Sequence, residues 1–203
     1  MISNATLRQN ARSQLGANIF GNTWIILGVV SFLYSAAIGA LASTVVGVIL
    51  LGGPLTYGLY RLLISTVNYK KVDLNDVASG VTEAFANSIV LYFLQTLFTM
   101  LWSLLFVIPG IVKSYSYAMA MYIQQDDPSK EGRECIEESR LMMDGHKWQL
   151  FCLDCSFIGW YLLGALCLGV GIFFVLPYHQ LARTNFYLAL KAEKENDYQV
   201  ITE

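Results

Sequence analysis

The sequence predicts an all-α membrane protein in which six transmembrane helices form three hairpins, each preceded by an amphipathic helix on the cytoplasmic surface. The chain of 203 residues is 55% hydrophobic and only 14% charged, with a mean hydropathy of +0.49, too apolar for a soluble domain. Residues 13–60, 84–112 and 155–182 contain no Asp, Glu, Lys or Arg. The first of these runs is long enough for two helices of about 20 residues, the length that crosses a bilayer.

One membrane domain is expected over residues 1–190, followed by a loose, polar cytoplasmic tail at residues 191–203. The surface helices are predicted at residues 4–16, 73–86 and 128–144. The membrane spans are predicted at residues 24–41, 44–64, 87–108, 111–125, 148–166 and 169–190.

The first surface helix is indicated by Leu7, Ala11 and Leu15, which recur four residues apart among charged and amide side chains. A helix with one apolar face lies flat on a membrane. Within the hairpin that follows, Gly52-Gly53-Pro54 interrupts the second span. Such an interruption in lipid indicates a packing kink or, less often, a pathway, because freed carbonyl groups need protein or water as partners.

The second surface helix is indicated by Leu74, Val77, Val81 and Phe85 at helical spacing, with Asp73 as its capping residue. The third and fourth spans follow it. Pro109-Gly110 separates them in the sequence, and this dipeptide is typical of a turn. We therefore expect the second hairpin to turn at these two residues.

The third surface helix is predicted to start at Asp127-Pro128, an Asx cap followed by proline at the first helical position. Gly145 is a helix-ending residue, and Trp148 after it is a residue type that is enriched at the water–lipid boundary. Spans five and six form the last hairpin, with a proline kink at Pro177.

Positive charge predicts the orientation. If each apolar run is a hairpin, every Lys and Arg except Lys113 falls on one side of the membrane. The positive-inside bias makes that side the cytoplasm and places both termini there. The surface helices begin near Asn4, Asp73 and Asp127, which indicates either a threefold internal repeat or only the shared need of each hairpin for a surface segment.

Four ionisable residues fall within or at the edge of the predicted spans: Lys113, Asp154, His179 and Arg183. Asp154 lies seven residues after Lys147, at the entry to span five, and Arg183 lies seven residues before the end of span six, so the two reach similar heights. His179 is one helical turn from Arg183. We predict an Asp154–Arg183 ion pair beside His179, serving to fix helix register or to form part of a proton or substrate relay. Lys113 is expected near the opposite boundary.

Catalytic and cofactor motifs are missing from the sequence. Cys152 and Cys155 have C-x-x-C spacing, but further ligands are missing nearby, so small apolar packing residues are expected rather than a metal or redox site. No Walker loop, G-x-S-x-G or H-E-x-x-H is present, which argues against an enzyme. The net charge of −2 and the lack of a basic block exclude nucleic acid as a partner. No cofactor or metal is expected.

Several strings resemble an uncharacterised family of bacterial integral membrane proteins, a domain of unknown function common in Gram-positive species. They are Leu101–Tyr117, Asp144–Trp148, Leu153–Trp160, Pro177-Tyr178 and Asn185–Tyr187. The resemblance implies a bacterial plasma-membrane location and structural roles for Pro109-Gly110, Lys113 and Asp154. The family does not usually carry cysteine at positions 152 and 155. The helix with Glu138, Ser139 and Gly145 is also loosely similar to the membrane domain of some glycerophosphodiester phosphodiesterases.

The sequence is compatible with two functions. A transporter-like or lipid-handling role is favoured by the surface helices, the interrupted second span and the charges within the membrane. A scaffold or accessory subunit is favoured by the acidic helix at residues 130–144, which offers a cytoplasmic surface to a protein partner. Membrane lipids are the expected partners in either case, and a homo-oligomer is compatible with both.

Overall fold

The fold was analysed in a computed structural model of the chain. It describes residues 3–16, 21–41, 45–69, 72, 74–75, 77–78, 85–105, 107–166 and 169–202. These residues form nine helices and no strand: α1 (Asn4–Leu15), α2 (Asn22–Leu41), α3 (Val45–Tyr69), α4 (Phe85–Leu105), α5 (Val107–Ser116), α6 (Ala120–Asp126), α7 (Gly132–Met142), α8 (Lys147–Leu166) and α9 (Val170–Thr202).

Three helices among the described residues are long and apolar enough to cross a membrane: α2, α4 over Phe85–Leu104, and α8. Each of them leaves large apolar side chains exposed. Leu33 of α2 is 61% exposed, Leu104 of α4 81% and Leu166 of α8 74%. Apolar side chains turned outward on long uncharged helices are compatible with a lipid environment.

The first predicted surface segment is helical, and this helix, α1, packs against α8 and α9. Leu7, Ala11 and Leu15 are buried against these helices. The Gln14 and Asn185 side-chain amides donate to each other's oxygen, at 3.0 and 2.8 Å. The predicted second surface helix at residues 73–86 lies mostly outside the described residues, as do the expected turns at residues 42–44 and 167–168.

Gly52-Gly53-Pro54 does not interrupt α3, contrary to the sequence-based expectation, because the helix continues from Val45 to Tyr69. The glycines serve helix packing. A Cβ atom on Gly53 would lie 2.3 Å from the Ser88 carbonyl oxygen, and one on Gly52 would lie 2.8 Å from the Tyr92 ring. The absence of these side chains therefore lets α3 and α4 approach closely.

Pro109-Gly110 does not form the turn of the second hairpin either. Both residues lie inside α5, where proline near the N-terminus of a helix loses no helical hydrogen bond. The interruption comes later, because the predicted fourth span is split at Tyr117–Met119 into α5 and α6. Pro177 also stands inside a continuous helix, α9.

The helix predicted as the third surface helix is α7, which begins at Gly132, later than Asp127-Pro128 indicated. Asp127 instead closes a local turn, where its carboxylate accepts hydrogen bonds from the backbone N–H and the hydroxyl of Ser129. Gly132 allows α7 to start directly against the backbone of Leu91 in α4. At the other end, Gly145 has a φ of +78°, in agreement with its predicted helix-ending role.

The tail that was expected to be loose is helical, because α9 continues to Thr202. Two lysines hold its described part to the rest of the chain. Lys191 pairs with Asp126 at 2.7 Å, and Lys194 pairs with Glu138 of α7 at 3.0 Å. These contacts join α9 to the end of α6 and to α7, which explains how a polar segment remains helical beyond the predicted span.

Candidate functional site

Asp154 of α8 is the centre of a hydrogen-bonded cluster. Its Oδ1 accepts from His179 Nε2 at 2.8 Å, and its Oδ2 lies 3.4 Å from Arg183 Nη2 and accepts from the Tyr115 hydroxyl at 3.0 Å. The Tyr161 hydroxyl is hydrogen-bonded to His179 Nδ1 at 3.0 Å. The ion pair predicted from the sequence is therefore present, with His179 beside it.

The cluster connects α5, α8 and α9 and satisfies both oxygens of the carboxylate. Asp154 and His179 are largely buried, with side chains 19% and 17% exposed. The Phe157 ring stacks on the His179 ring at 4.6 Å between centroids, which excludes solvent from one face of the imidazole. A carboxylate with this many partners is suited to holding three helices in register.

Tyr115 and Tyr161 are the members of this cluster that sequence reasoning missed. Tyr161 lies seven residues after Asp154, two helical turns along the same face of α8, and this spacing is a signal that was available in the sequence.

Lys113 is not part of the cluster. Its ammonium lies 4.8 Å from the centroid of the Trp102 ring, in a cation–π contact. The basic side chains of Arg140 and Lys147 are close enough to act on its charge. The position of Lys113 near the opposite boundary of the membrane stays a prediction.

The break at Tyr117–Met119 is held by side chains from two other helices. Ser139 of α7 donates its hydroxyl hydrogen to the Ser116 carbonyl at 2.8 Å and accepts the Met119 N–H at 3.2 Å. Gln95 of α4 donates to the Tyr117 carbonyl at 3.2 Å. These bonds replace some of the helical backbone hydrogen bonds that are lost between α5 and α6.

A cavity of about 490 Å³ lies beside this break, between α2, α3, α4, α5 and α6. Among the described residues, no charged side chain lines it. Its lining consists of nine residues with polar side chains together with Met100, Ala118 and Met121. The polar residues are Tyr34, Thr56, Tyr60, Tyr92, Gln95, Thr96, Thr99, Ser103 and Ser114.

The α4 part of this lining forms a polar stripe along one of the three membrane-compatible helices. Apart from the adjacent Gln95 and Thr96, its members follow one another at intervals of three or four residues, the spacing of one helical face. They are Tyr92, Gln95, Thr96, Thr99 and Ser103. Sequence analysis passed over the stripe because the residues are uncharged, although the spacing could have revealed it.

A second group of polar contacts lies at the ends of α6, α7 and α9. Glu138 pairs with Lys130 at 2.8 Å as well as with Lys194. Burial tends to raise the pKa of Glu138, but the hydrogen bonds and charges of the two lysines outweigh it and hold the pKa below its ordinary value. The hydrogen bond to Glu138 raises the pKa of Lys130. Asp126 accepts from both Lys191 and the Tyr187 hydroxyl.

The cysteines of the described residues are free thiols. Cys155 is exposed on α8, Cys152 is partly buried, and Cys135 is buried within α7. Burial raises the pKa of the Cys135 thiol to about 11, which keeps it protonated and unreactive. Among the described residues, no three His, Cys, Asp or Glu side chains are grouped so that they could hold a metal ion.

Residues 104–194 match the sequence profile of a family described as a protein of unknown function, DUF975. The matched segment contains α5 to α8 and most of α9, and so includes the Asp154 cluster and the Ser139 contacts. This match supports the resemblance to an uncharacterised family. No curated protein and no solved structure gave a significant match to the chain.

Proposed function

We propose that the chain is a non-enzymatic, six-span protein of the bacterial cell membrane, with both termini in the cytoplasm, and that its role is transporter-like or lipid-handling. Three membrane-compatible helices and their exposed apolar side chains support the membrane location. The charge distribution of the sequence supports the orientation. The bacterial assignment follows the resemblance described above.

The polar cavity carries the proposal. Polar side chains within a membrane domain are costly unless they find partners, and they commonly mark the path or the site of a polar ligand. A volume of about 490 Å³ lies in the range of small-molecule sites. The split of the fourth predicted span beside the cavity adds to this support, because interrupted helices form the binding sites of many transporters.

The Asp154 cluster supports this role indirectly. Asp154 of α8 contacts both His179 and Arg183 of α9 directly, so the assigned part of these three residues is to fix the positions of α8 and α9. Tyr115 extends the same cluster to α5, the half-helix that ends at the break. The cluster thus sets the position of one wall of the cavity, while the ligand would contact uncharged groups.

A scaffold role receives less support. The acidic face of α7 was its main sequence feature, and Glu138 of that face is engaged by Lys130 and Lys194 within the chain. Such an internally paired carboxylate offers little to a partner. Glu134 and Glu137 remain exposed on α7.

The proposal is tested by the access of water to the cavity. In a chain whose native cysteines are replaced by alanine, Thr99→Cys and Leu97→Cys each place a thiol on α4. Thr99 lines the cavity, whereas Leu97 belongs to the exposed apolar surface. In liposomes, a membrane-impermeant methanethiosulfonate reagent should label Thr99→Cys and leave Leu97→Cys unlabelled. Failure to label Thr99→Cys in the folded protein would show a dry cavity and overturn the proposal.

A further inference from the structure

We propose that the cavity opens sideways into the bilayer and binds the headgroup of an uncharged lipid that carries several hydroxyl groups, such as a sugar linked to diacylglycerol. This inference rests on the proposed function and names the class of its ligand. Its three parts are the position of the cavity mouth, the absence of charge in the lining, and the hydrogen-bonding state of the lining hydroxyls.

The mouth of the cavity is marked by residues that both line it and are exposed. Thr96, Met100 and Ser103 of α4 meet both conditions, and Met100 is 67% exposed. Leu97 and Leu101 stand beside them on α4 and are exposed too. Since exposed apolar side chains of a membrane-spanning helix face lipid, the opening borders the hydrocarbon region.

A polar opening at this depth needs a particular kind of occupant. Hydroxyl groups that face hydrocarbon without a partner are unfavourable, and an acyl chain has no group to offer them. A lipid provides partners for both surfaces, because its headgroup enters the polar cavity while its acyl chains stay against Leu97 and Leu101. A fully water-soluble ligand would not enter the cavity through an opening toward the bilayer.

The lining selects against a charged headgroup. Within the part of the chain that the structure describes, the cavity is lined by no Lys or Arg that would pair with a phosphate and by no Asp or Glu that would pair with an amine. Transfer of an unpaired charge into such a site carries a large desolvation cost. A phospholipid therefore fits the site less well than a neutral lipid does.

Several lining hydroxyls already use their hydrogen within their own helix. Ser103 donates to the Thr99 carbonyl at 2.8 Å, Ser114 to the Ile111 carbonyl at 2.7 Å, and Thr56 to the Gly52 carbonyl at 2.6 Å. Each oxygen keeps accepting capacity for a ligand. The lining thus favours a ligand that donates hydrogen bonds, and a sugar carries one donor on each hydroxyl group.

Tyrosine rings supply the remaining surface. Tyr34, Tyr60 and Tyr92 all line the cavity, and Tyr34 is fixed by a 2.9 Å hydrogen bond between its hydroxyl and that of Thr56. Tyr60 is held by stacking on Tyr122 at 4.3 Å between ring centroids. Rigid aromatic rings with a polar tip combine apolar contact area with hydrogen bonding, which suits the mixed surface of a sugar ring.

The test is a lipid competition on the full chain. Purified protein is incubated in detergent with equal amounts of glucosyl-diacylglycerol and phosphatidylglycerol that share the same acyl chains, and retained lipid is measured by native mass spectrometry. We expect the wild type to retain the glycolipid about tenfold over the phospholipid, the effect of one or two net hydrogen bonds. Equal retention, or preference for the phospholipid, would overturn the inference.

Variants locate the lipid. Thr96→Val, alone and with Ser103→Ala, should abolish the preference, because it removes acceptors at the mouth. Ser35→Ala is the matched control, since Ser35 donates to the Ser31 carbonyl within α2 and does not line the cavity. Each variant is first shown to keep the wild-type unfolding temperature. An unchanged preference in the folded Thr96 variants would place the lipid elsewhere and contradict the inference.

A soluble-ligand control separates this inference from the proposed function. If methyl glucoside binds and glucosyl-diacylglycerol does not, the site takes a solute from water, so the lipid assignment fails while the polar cavity retains its role. If Thr99→Cys is not labelled in the accessibility experiment, the cavity is dry and the proposed function itself is overturned.

Discussion

At the scale of single residues, Asp154 and Arg183 form the pair whose removal is most informative. Their positions were predictable, because Asp154 lies seven residues after Lys147, Arg183 lies seven residues before Leu190, and the two predicted spans are antiparallel. Tyr115 was harder to assign, since it belongs to a helix whose course after Tyr117 the sequence did not indicate. The pairing of Asp154 with Arg183 is thus predictable from their depth in the two spans. The identity of the uncharged residues that bond to them depends on how the helices pack.

Arg183→Met should lower the free energy of unfolding by about 2 kcal/mol, because it removes the positive charge that pairs with the Asp154 carboxylate. This is less than the 3–5 kcal/mol typical of a fully buried pair, since the Arg183 side chain is 31% exposed. The double variant Asp154→Asn/Arg183→Met should lose less than Arg183→Met alone. Chemical unfolding in lipid nanodiscs measures both, and equal or additive losses would contradict a direct pair.

Ser139→Ala should cost about 1–3 kcal/mol of stability, because Ser139 is fully buried and holds both the Ser116 carbonyl and the Met119 N–H. Ser156→Ala is the control, since the Ser156 hydroxyl bonds only to the Leu153 carbonyl of its own helix and its loss should change little. A loss in the control as large as in Ser139→Ala would contradict the special role of the break.

At the scale of helices, the largest departure from expectation is the split of the fourth span. Tyr117-Ala118-Met119 contains no Gly or Pro, so the local sequence does not signal an interruption. Its backbone is satisfied by Gln95 and Ser139, which are 22 residues before and 20 residues after the groups they contact. In contrast, Pro109-Gly110 and Gly52-Gly53-Pro54 look like interruptions but lie inside helices, because proline suits the start of α5 and glycine suits the α3–α4 contact.

The attachment of α9 to α7 should depend on pH through Glu138. Its pKa in the folded protein is below the ordinary value near 4.5, so its contribution to stability is complete above that value and is lost as the pH falls through the folded pKa. The wild type should therefore unfold at a higher temperature than Glu138→Gln at pH 7, with the difference disappearing toward pH 3. Glu134→Gln, which changes an exposed residue of the same helix, should show no such pH-dependent difference.

At the scale of the whole molecule, the predicted all-helical, apolar architecture is matched by the described helices, three of which are compatible with membrane crossing. Composition was sufficient for this prediction, because long uncharged runs are compatible with few structures other than apolar helices. The cavity was not predictable, since it requires residues from α2, α3, α4, α5 and α6 to meet at one place, and only the stripe on α4 is visible in a single segment.

Six spans with both termini inside predict an alternating topology. Fusions that end at residues 43, 106 and 168 should export a phosphatase reporter, whereas fusions that end at residues 70, 127 and 203 should keep a fluorescent reporter active in the cytoplasm. A protein with three spans would give a different pattern of reporter activity, with the C-terminus outside the cell. The fusion that ends at residue 203 therefore distinguishes the two topologies.

The central claim is that a polar cavity beside α4 receives the headgroup of a lipid from within the bilayer. Its most direct test is an experimental structure of the chain in nanodiscs that contain glucosyl-diacylglycerol, at a resolution that shows acyl chains. The account predicts a headgroup between Tyr92 and Thr96, with its acyl chains against Leu97 and Leu101. A cavity that is closed by a second copy of the chain, or that holds no headgroup, would contradict it.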